Sequence, residues 1–263
     1  MPDRVDAATE LVARPAAGRV HVSDARVRLG DVDPSGRLRL DGLARLLQDV
    51  ANEDAVEAYG GGAPGPEVMA WVVRRTLIEV HRAARFREDL TVATWCGGLG
   101  GRWAERRVSV TGSHGARAEA AMLWVHLDPA RGAPARLSPW FLERYGEAAG
   151  GRVVRARLRH PDPDPATTRH PWPLRSTDLD LLGHVNNAVH LAMVEDVLDD
   201  WPAADEALDL ARPMRIEVEY RQPIDPGDQV DLAVATRPDG ALALWVLVGE
   251  QVRASAVVVN LAA

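Results

Sequence analysis

Two similar segments constrain the fold of this chain more than any other feature of its sequence. Asp31-Val-Asp33-Pro-Ser-Gly36 resembles Asp178-Leu-Asp180-Leu-Leu-Gly183, and Asp33 and Asp180 are 147 residues apart. Each segment precedes a stretch with the periodicity of an amphipathic helix. Further similar segments follow in the same order: 78–80 with 216–218, and 91–94 with 233–236. Because these similarities keep one order, we expect an internal duplication.

Each half is predicted to hold one strand, one long helix and four more strands. In the first half we expect a strand at 20–29, a helix at 38–59 and strands at 68–81, 90–96, 103–111 and 117–127. In the second half we expect a strand leading into 175–180, a helix at 187–201 and strands at 212–220, 229–236, 242–248 and 252–260.

An antiparallel sheet that curls around a single long helix buries the apolar face of that helix, an arrangement known as the hot-dog architecture. Two such units side by side also cover each other's open sheet edge. The expected fold is therefore α+β, with tandem hot-dog repeats whose sheets join edge to edge around two central helices.

The predicted domain organisation follows the duplication. Residues 1–19 are expected to form a polar lead-in, 20–128 the first repeat, and 171–263 the second repeat, which carries the expected active site. A linker at 129–170 should contain a short helix that begins at Pro139, with Ser138 as its N-cap.

Composition excludes several classes of protein. The longest apolar run, around 241–248, is far shorter than the roughly twenty residues of a membrane-spanning helix. The first twenty residues lack a hydrophobic stretch, which argues against a secretory signal. A net charge of −7 argues against a nucleic-acid partner, and the single cysteine, Cys96, excludes an internal disulfide or a multi-thiolate metal site. We expect a cytoplasmic protein, monomeric or homodimeric, with no metal or cofactor.

The residues most suited to chemistry lie at the start of the second predicted helix. Asp180 could act on water as a general base or attack a carbonyl carbon itself, and His184 could orient the carboxylate or the substrate. Asn186 is a good N-cap, and the backbone N–H groups of Asn186, Asn187 and Ala188 could polarise a carbonyl oxygen. The alternative is that Asp180 and Asn186 only cap the helix and His184 only packs.

The chain resembles the acyl-acyl-carrier-protein thioesterases of plant plastids and their bacterial relatives over roughly residues 20–260. The segment Asp178–Asn187 is similar to the family's active-site motif, in which an aspartate precedes a His-Val-Asn-Asn run. Further segments that resemble the family are Trp71–Arg75, Ile78–His81, Thr94–Cys96, Arg106-Arg107, Leu123–Val125 and Glu219–Arg221. The resemblance implies catalytic roles for Asp180 and His184. It also implies that the protein acts in lipid metabolism and hydrolyses thioesters of acyl carrier protein or coenzyme A, with a fatty acyl chain as the expected acyl group.

Three positions depart from the family pattern. Leu182 stands where the plant enzymes have a catalytic asparagine, and Pro223 and Ile224 stand where they have glutamate and cysteine. These departures favour a second hypothesis, a non-catalytic protein that binds acyl thioesters or senses them. A hot-dog hydratase fits less well, because Asp180 and His184 are one residue closer together than in the hydratase motif.

Three other residues have a structural and a functional interpretation. Asp33 resembles the active-site turn of small hot-dog coenzyme A thioesterases, although Arg37 replaces the histidine and an aspartate before proline is often only a turn former. Cys96 is expected to be a buried structural thiol, and Glu195 a solvated, capping or supporting carboxylate.

The acyl group is expected beside the helix at 187–201, and the arginines at 152–159 are candidates to dock an acidic carrier protein.

Overall fold

A computed structural model of the chain describes residues 11–60, 71–200 and 208–262, without the side chain at position 200. The first half contains helix α1 (Leu40–Ala58) and strands β1 (Val20–Arg26), β2 (Trp71–Arg82), β3 (Asp89–Leu99), β4 (Trp103–Gly112) and β5 (Arg117–Asp128). The connection contains strand β6 (Ala133–Pro134) and helix α2 (Pro139–Tyr145). The second half contains strand β7 (Arg169–Trp172), helix α3 (Asn187–Asp200) and strands β8 (Met214–Tyr220), β9 (Val230–Thr236), β10 (Leu242–Val248) and β11 (Gln251–Asn260).

The strands form one antiparallel sheet, and corresponding strands of the two halves lie at equal distances from its centre. From one edge to the other the order is β1-β3-β4-β5-β2-β8-β11-β10-β9-β7, with β6 paired to β5. Strands β2 and β8 join the two halves, and Ile78 pairs with Ile216 at this junction. Since these two residues lie in the similar segments noted in the sequence, the junction brings corresponding parts of the halves together.

The two long helices lie against the sheet and contribute to one apolar core. Helix α1 buries Leu43, Leu47 and Val50, and α3 buries Leu191 and Val194 in the same cluster. Burial of this apolar area is the main stabilising term of such a packing. The α+β class is confirmed. No helix in the described parts of the chain is long and apolar enough to span a membrane.

Several element boundaries differ from the sequence-based expectation. Helix α1 begins at Leu40 rather than at residue 38, because the Leu38 N–H donates to Ala84 O at 2.9 Å. The strand expected before 175–180 ends at Trp172, where Pro173 removes a backbone donor. The expected strand at 68–81 and helix at 187–201 extend in part outside the described residues. Helix α2 begins at Pro139, and Ser138 Oγ accepts a hydrogen bond from Phe141 N at 3.2 Å.

Candidate active site

Asp180 lies in a tight turn directly before α3. Its N–H donates to His184 O at 2.8 Å, and Gly183 N–H donates back to Asp180 O at 3.0 Å. Gly183 has a φ of 78°, which favours glycine. Asp180 Oδ1 accepts hydrogen bonds from Leu182 N at 2.8 Å and His184 N at 3.4 Å. Within the described parts of the chain, no group donates to Asp180 Oδ2.

Asp33 lies in a turn of the same geometry before α1. Its N–H donates to Arg37 O at 2.9 Å, and Gly36 has a φ of 79°. Here both carboxylate oxygens are occupied, because Oδ1 accepts from Ser35 N and Arg37 N and Oδ2 accepts from Arg37 Nε at 3.0 Å. Partial burial opposes ionisation, but the hydrogen bonds from Ser35 and Arg37 dominate and lower the pKa of Asp33. Asp33 is therefore held as a structural carboxylate.

The start of α1 is closed by a carboxylate from the other half of the molecule. Glu195, on α3, accepts a hydrogen bond from the Leu40 N–H at 2.5 Å and one from Arg37 Nη2 at 2.6 Å. Burial raises the pKa of Glu195, while Leu40 and Arg37 favour its ionised form. An acyl carbonyl oxygen therefore has no free backbone donor at this first N–H of α1. Of the three roles expected for Glu195, capping is the one observed.

The start of α3 is open in comparison. Asn186 N donates to Asp178 O at 2.8 Å, and Ala188 N donates to Asn186 Oδ1 at 2.8 Å. Asn186 is thus the N-cap, and two of the three expected carbonyl-binding N–H groups already have acceptors. The Asn187 N–H, which corresponds to that of Leu40, has no acceptor among the described residues.

A carboxylate that the sequence analysis missed lies beside His184. Asp225 Oδ1 is 3.6 Å from His184 Nε2, and both side chains are partly exposed. The loop that carries Asp225 is fixed to the turn, since Val185 N donates to Ile224 O at 3.0 Å. His184 does not contact the Asp180 carboxylate through its ring. Asp225 lies two residues beyond Pro223, the position of the family's glutamate, and this proximity was the only signal available in the sequence.

His190 lies one turn further along α3 and is buried. Its ring contacts that of Tyr220 edge to face, with 5.2 Å between the ring centroids. Burial lowers the pKa of His190 to about 4, so the ring is neutral near pH 7. The Tyr220 hydroxyl is 3.5 Å from Asn187 O, which ties β8 to the start of α3.

A cavity of about 190 Å³ lies along α1. Residues of α1, four strands of the first half and α2 line it: Gln48, Ala51, Asn52, Ala55, Tyr59, Trp71, Cys96, Ala104, Glu105, Arg106, Trp124, Trp140, Phe141 and Tyr145. Burial raises the pKa of the Cys96 thiol to about 11, so the thiol is protonated near neutral pH. Cys96 is buried and donates to Gly98 O at 3.6 Å, as a structural thiol would.

The space beside α3 differs from the groove that the sequence led us to expect. The cavity there is lined by charged groups, among them Arg39, Asp41, Arg175, Glu195 and Asp196. Placing an apolar chain against these groups would cost their solvation. An apolar chain would therefore be better accommodated by the cavity along α1 than by the space beside α3.

One set of side chains elsewhere has the composition of a metal site. His160, Glu217 and Glu219 place ligand atoms within 4.8 Å of one another. Glu219 accepts hydrogen bonds from Arg159 N at 2.5 Å and His160 N at 3.0 Å, so it anchors the segment after α2 to the sheet. These contacts account for Glu219, whereas Glu217 Oε1 lies 3.7 Å from Arg75 Nη1 and accepts no hydrogen bond from the described residues.

Comparison with known proteins identifies the family. The model of the acyl-ACP thioesterase N-terminal domain matches residues 18–145, and that of the C-terminal domain matches residues 162–255. The chain belongs to the acyl-ACP thioesterase family. An uncharacterised protein of Mycobacterium tuberculosis is 33% identical over 247 residues, which cover 94% of each chain.

Solved structures share the fold. A putative oleoyl thioesterase from Lactobacillus plantarum matches with a TM-score of 0.75 and 21% identity, over 94% of this chain and 99% of that one. The 12:0-ACP thioesterase of Umbellularia californica matches with a TM-score of 0.71 and 19% identity, over 91% and 96%. An acyl-ACP thioesterase from Bacteroides thetaiotaomicron matches with a TM-score of 0.68 and 19% identity, over 91% and 97%.

Proposed function

We propose that this protein is a thioesterase that hydrolyses acyl thioesters of acyl carrier protein or coenzyme A at the turn before α3. The observation that carries the proposal is the contrast between the two turns. Arg37 and Glu195 occupy the Asp33 turn and the first N–H of α1, whereas Asp180 Oδ2 and the Asn187 N–H have no partner among the described residues. A general base and a carbonyl-binding donor are thus available together only at the second turn.

In the proposed reaction Asp180 accepts a proton from a water molecule, whose oxygen forms a bond to the thioester carbon. The Asn187 N–H, aided by the positive end of the α3 dipole, stabilises the negative charge on the carbonyl oxygen. The carbonyl bond re-forms as the C–S bond breaks, and the leaving thiolate takes up the proton that Asp180 accepted, which returns Asp180 to its carboxylate form. His184 is proposed to position the water or the thioester, with Asp225 holding its ring. Direct attack by Asp180 on the carbonyl remains the alternative within the same site.

The two halves are proposed to be fused hot-dog units related by an approximate twofold axis through the β2–β8 junction. Under this relation Gln48 of α1 corresponds to Glu195 of α3, and Leu40 corresponds to Asn187. Glu195 contacts Leu40 N, so Gln48 is expected to face the Asn187 N–H. Since Gln48 also lines the cavity along α1, this cavity would open at the proposed oxyanion site.

Carrier binding is proposed to involve the arginines at 152–159. Arg155 and Arg157 are exposed, which suits an acidic carrier protein or the phosphates of coenzyme A. Arg152 is less available, because it pairs with Glu105 and donates to Gly97 O at 2.8 Å.

A second function, acyl-thioester binding without hydrolysis, is favoured by one observation. The family's catalytic asparagine and glutamate are replaced by Leu182, which is exposed, and Pro223. A binding protein would retain the cavity and the open helix start but would not turn over its ligand.

The test is release of free thiol from a panel of acyl-coenzyme A and acyl-carrier-protein thioesters. Thiol release that is saturable in thioester supports hydrolysis. Saturable binding of the thioesters without release of thiol would instead select the binding function, and neither binding nor release would contradict both.

A further inference from the structure

The walls of the cavity along α1 have an unusual composition. The chain contains eight tryptophans, three tyrosines and two phenylalanines, and six of these residues line this one cavity. The aliphatic residues of the wall are three alanines; no leucine, isoleucine, valine or methionine belongs to the described lining. Large flat rings therefore form the apolar surface that a ligand would contact.

Five of the rings form a continuous network. Tyr59 stacks on Trp140 with centroids 4.1 Å apart, and Trp140 meets Tyr145 edge to face at 6.4 Å. Phe141 lies 4.8 Å from Tyr145 and 4.9 Å from Trp71. Such pairs fix one another's orientation, so the cavity presents a pre-formed set of ring faces and edges.

Tyr145 is buried in a small apolar cluster against which Trp71, Trp140 and Phe141 pack, but most of the rings keep an exposed part. Tyr59 is 38% exposed, and Trp71, Trp140 and Phe141 are only partly buried. Several large rings left partly exposed around one cavity are typical of a binding site.

The charged groups of the wall already have partners. Arg106 Nη1 donates to Asp54 Oδ2 at 2.6 Å, and the Arg106 guanidinium lies 5.8 Å from the centroid of the Tyr145 ring. Glu105 pairs with Arg152. Since these charges are compensated, the cavity does not require a charged ligand group, and its selectivity rests on the rings.

We infer that the acyl group that this cavity accepts carries an aromatic ring. The substrate class is therefore aroyl and arylalkanoyl thioesters. This inference rests on the proposed function for the reaction that the acyl group undergoes. The preference for binding an aromatic ring does not depend on that reaction. A cavity of about 190 Å³ matches the size of cavities that hold one benzene ring, about 150 Å³ in an engineered case. Ring-to-ring contacts add about 0.5–1.5 kcal/mol per pair beyond apolar burial, which a saturated chain cannot obtain.

The test compares binding of two coenzyme A thioethers that cannot be hydrolysed. Phenacyl-coenzyme A carries an aromatic ring, and 2-oxooctyl-coenzyme A carries an aliphatic chain with the same number of carbons. Isothermal titration calorimetry on the full-length protein should give a Kd about tenfold lower for the phenacyl compound. Equal affinities, or tighter binding of the aliphatic compound, would overturn the inference.

Two variants locate the effect. Trp140→Leu should weaken binding of the phenacyl compound about tenfold and change binding of the aliphatic compound much less. Trp172→Leu, which removes a partly buried ring on β7 outside the cavity, should change neither. Equal weakening of both ligands by Trp140→Leu would contradict the inference. If Trp140→Leu does not fold, the comparison of the two ligands on the unaltered protein still decides.

Turnover separates this inference from the proposed function. Thiol release from phenylacetyl-coenzyme A in preference to octanoyl-coenzyme A supports both. Release from octanoyl-coenzyme A alone would overturn the aromatic class and leave the thioesterase in place. Tight binding of phenacyl-coenzyme A with no turnover of any thioester would leave the aromatic class in place and overturn hydrolysis.

Discussion

At the scale of single residues, Arg37 and His184 occupy the same position in two turns of the same shape. The Arg37 guanidinium donates to the Asp33 carboxylate and to Glu195. The His184 ring does not contact the Asp180 carboxylate, and its Nε2 lies 3.6 Å from Asp225 Oδ1. A guanidinium stays charged at all ordinary pH values, so Arg37 permanently neutralises its carboxylate partners. With an imidazole in that position, Asp180 Oδ2 accepts no hydrogen bond from any residue that the structure describes.

The sequence predicted some of these residues and could not predict others. The turn at Asp180 and the N-cap Asn186 follow from short-range patterns, and both are observed. The Arg37–Glu195 ion pair joins residues 158 positions apart, and nothing in either local segment indicates the other. Asp225 was missed for a similar reason, because its approach to His184 depends on how one loop docks onto another.

His190 gives a prediction about pH and stability. The pKa of His190 is lowered by burial from 6.5 to about 4, so the unfolded chain binds more protons than the folded chain between these values. The free energy of unfolding should therefore fall as pH drops from 6.5 towards 4, with a contribution from this residue of about 3 kcal/mol.

Urea unfolding of the unaltered protein and of His190→Phe at several pH values measures this contribution. The phenylalanine variant should lose less stability than the unaltered protein over the same range. Parallel pH profiles for the two proteins would show that His190 is not the group responsible.

At the scale of elements, the two long helices begin differently. Arg39, at the N-cap of α1, makes no side-chain capping bond, and Glu195 of α3 supplies the acceptor instead. Helix α3 has its own cap in Asn186. The predicted range of α1 was close to the observed one, but its cap lies in the other half of the molecule and is not visible in the local sequence.

Glu195→Ala is predicted to destabilise the fold. Arg37 is buried and would keep only its ion pair with Asp33, and the Leu40 N–H would lose its acceptor. The expected cost is about 3 kcal/mol, the lower end of the range for breaking a buried ion pair. Urea unfolding near pH 7 measures the loss, and Asp199→Ala, an exposed carboxylate on the same helix, is the control. A double variant with Arg37→Met should recover much of the stability. A loss no larger than that of Asp199→Ala would contradict the role assigned to Glu195.

At the scale of the whole molecule, the order of strands about the β2–β8 junction is symmetric, but the two helix starts are not equivalent. The duplicated segments indicated two similar halves, and the edge-to-edge junction was expected because an open edge is exposed to unwanted pairing. The sequence placed the expected active site in the second half, but the contact of Glu195 with the start of α1 could not be predicted, because it depends on a side chain that one half contributes to the other. The cavity along α1 was not predicted, because its wall combines side chains of α1, four strands and α2 that are far apart in the sequence.

Gln48→Glu tests the proposed relation between the halves. The new carboxylate should accept the Asn187 N–H as Glu195 accepts that of Leu40, and should repel the developing oxyanion. Loss of one such donor lowers kcat by about 10²–10³, and a similar loss is expected here. Gln48→Met, which adds no charge, should lose much less. Comparable thiol-release rates for the glutamate and methionine variants would contradict the proposed position of Gln48.

The most direct test of the central claim compares Asp180→Asn with Asp33→Asn in a thiol-release assay on the best thioester of the panel. The two substitutions are chemically identical and lie in turns of the same geometry. Asp180→Asn should lower kcat by about 10² or more at unchanged fold, because the general base is lost. Asp33→Asn should affect thermal stability more than kcat, since it weakens the contact with Arg37. Near-normal turnover by Asp180→Asn, or an equal loss in both variants, would contradict the claim that hydrolysis takes place at the second turn.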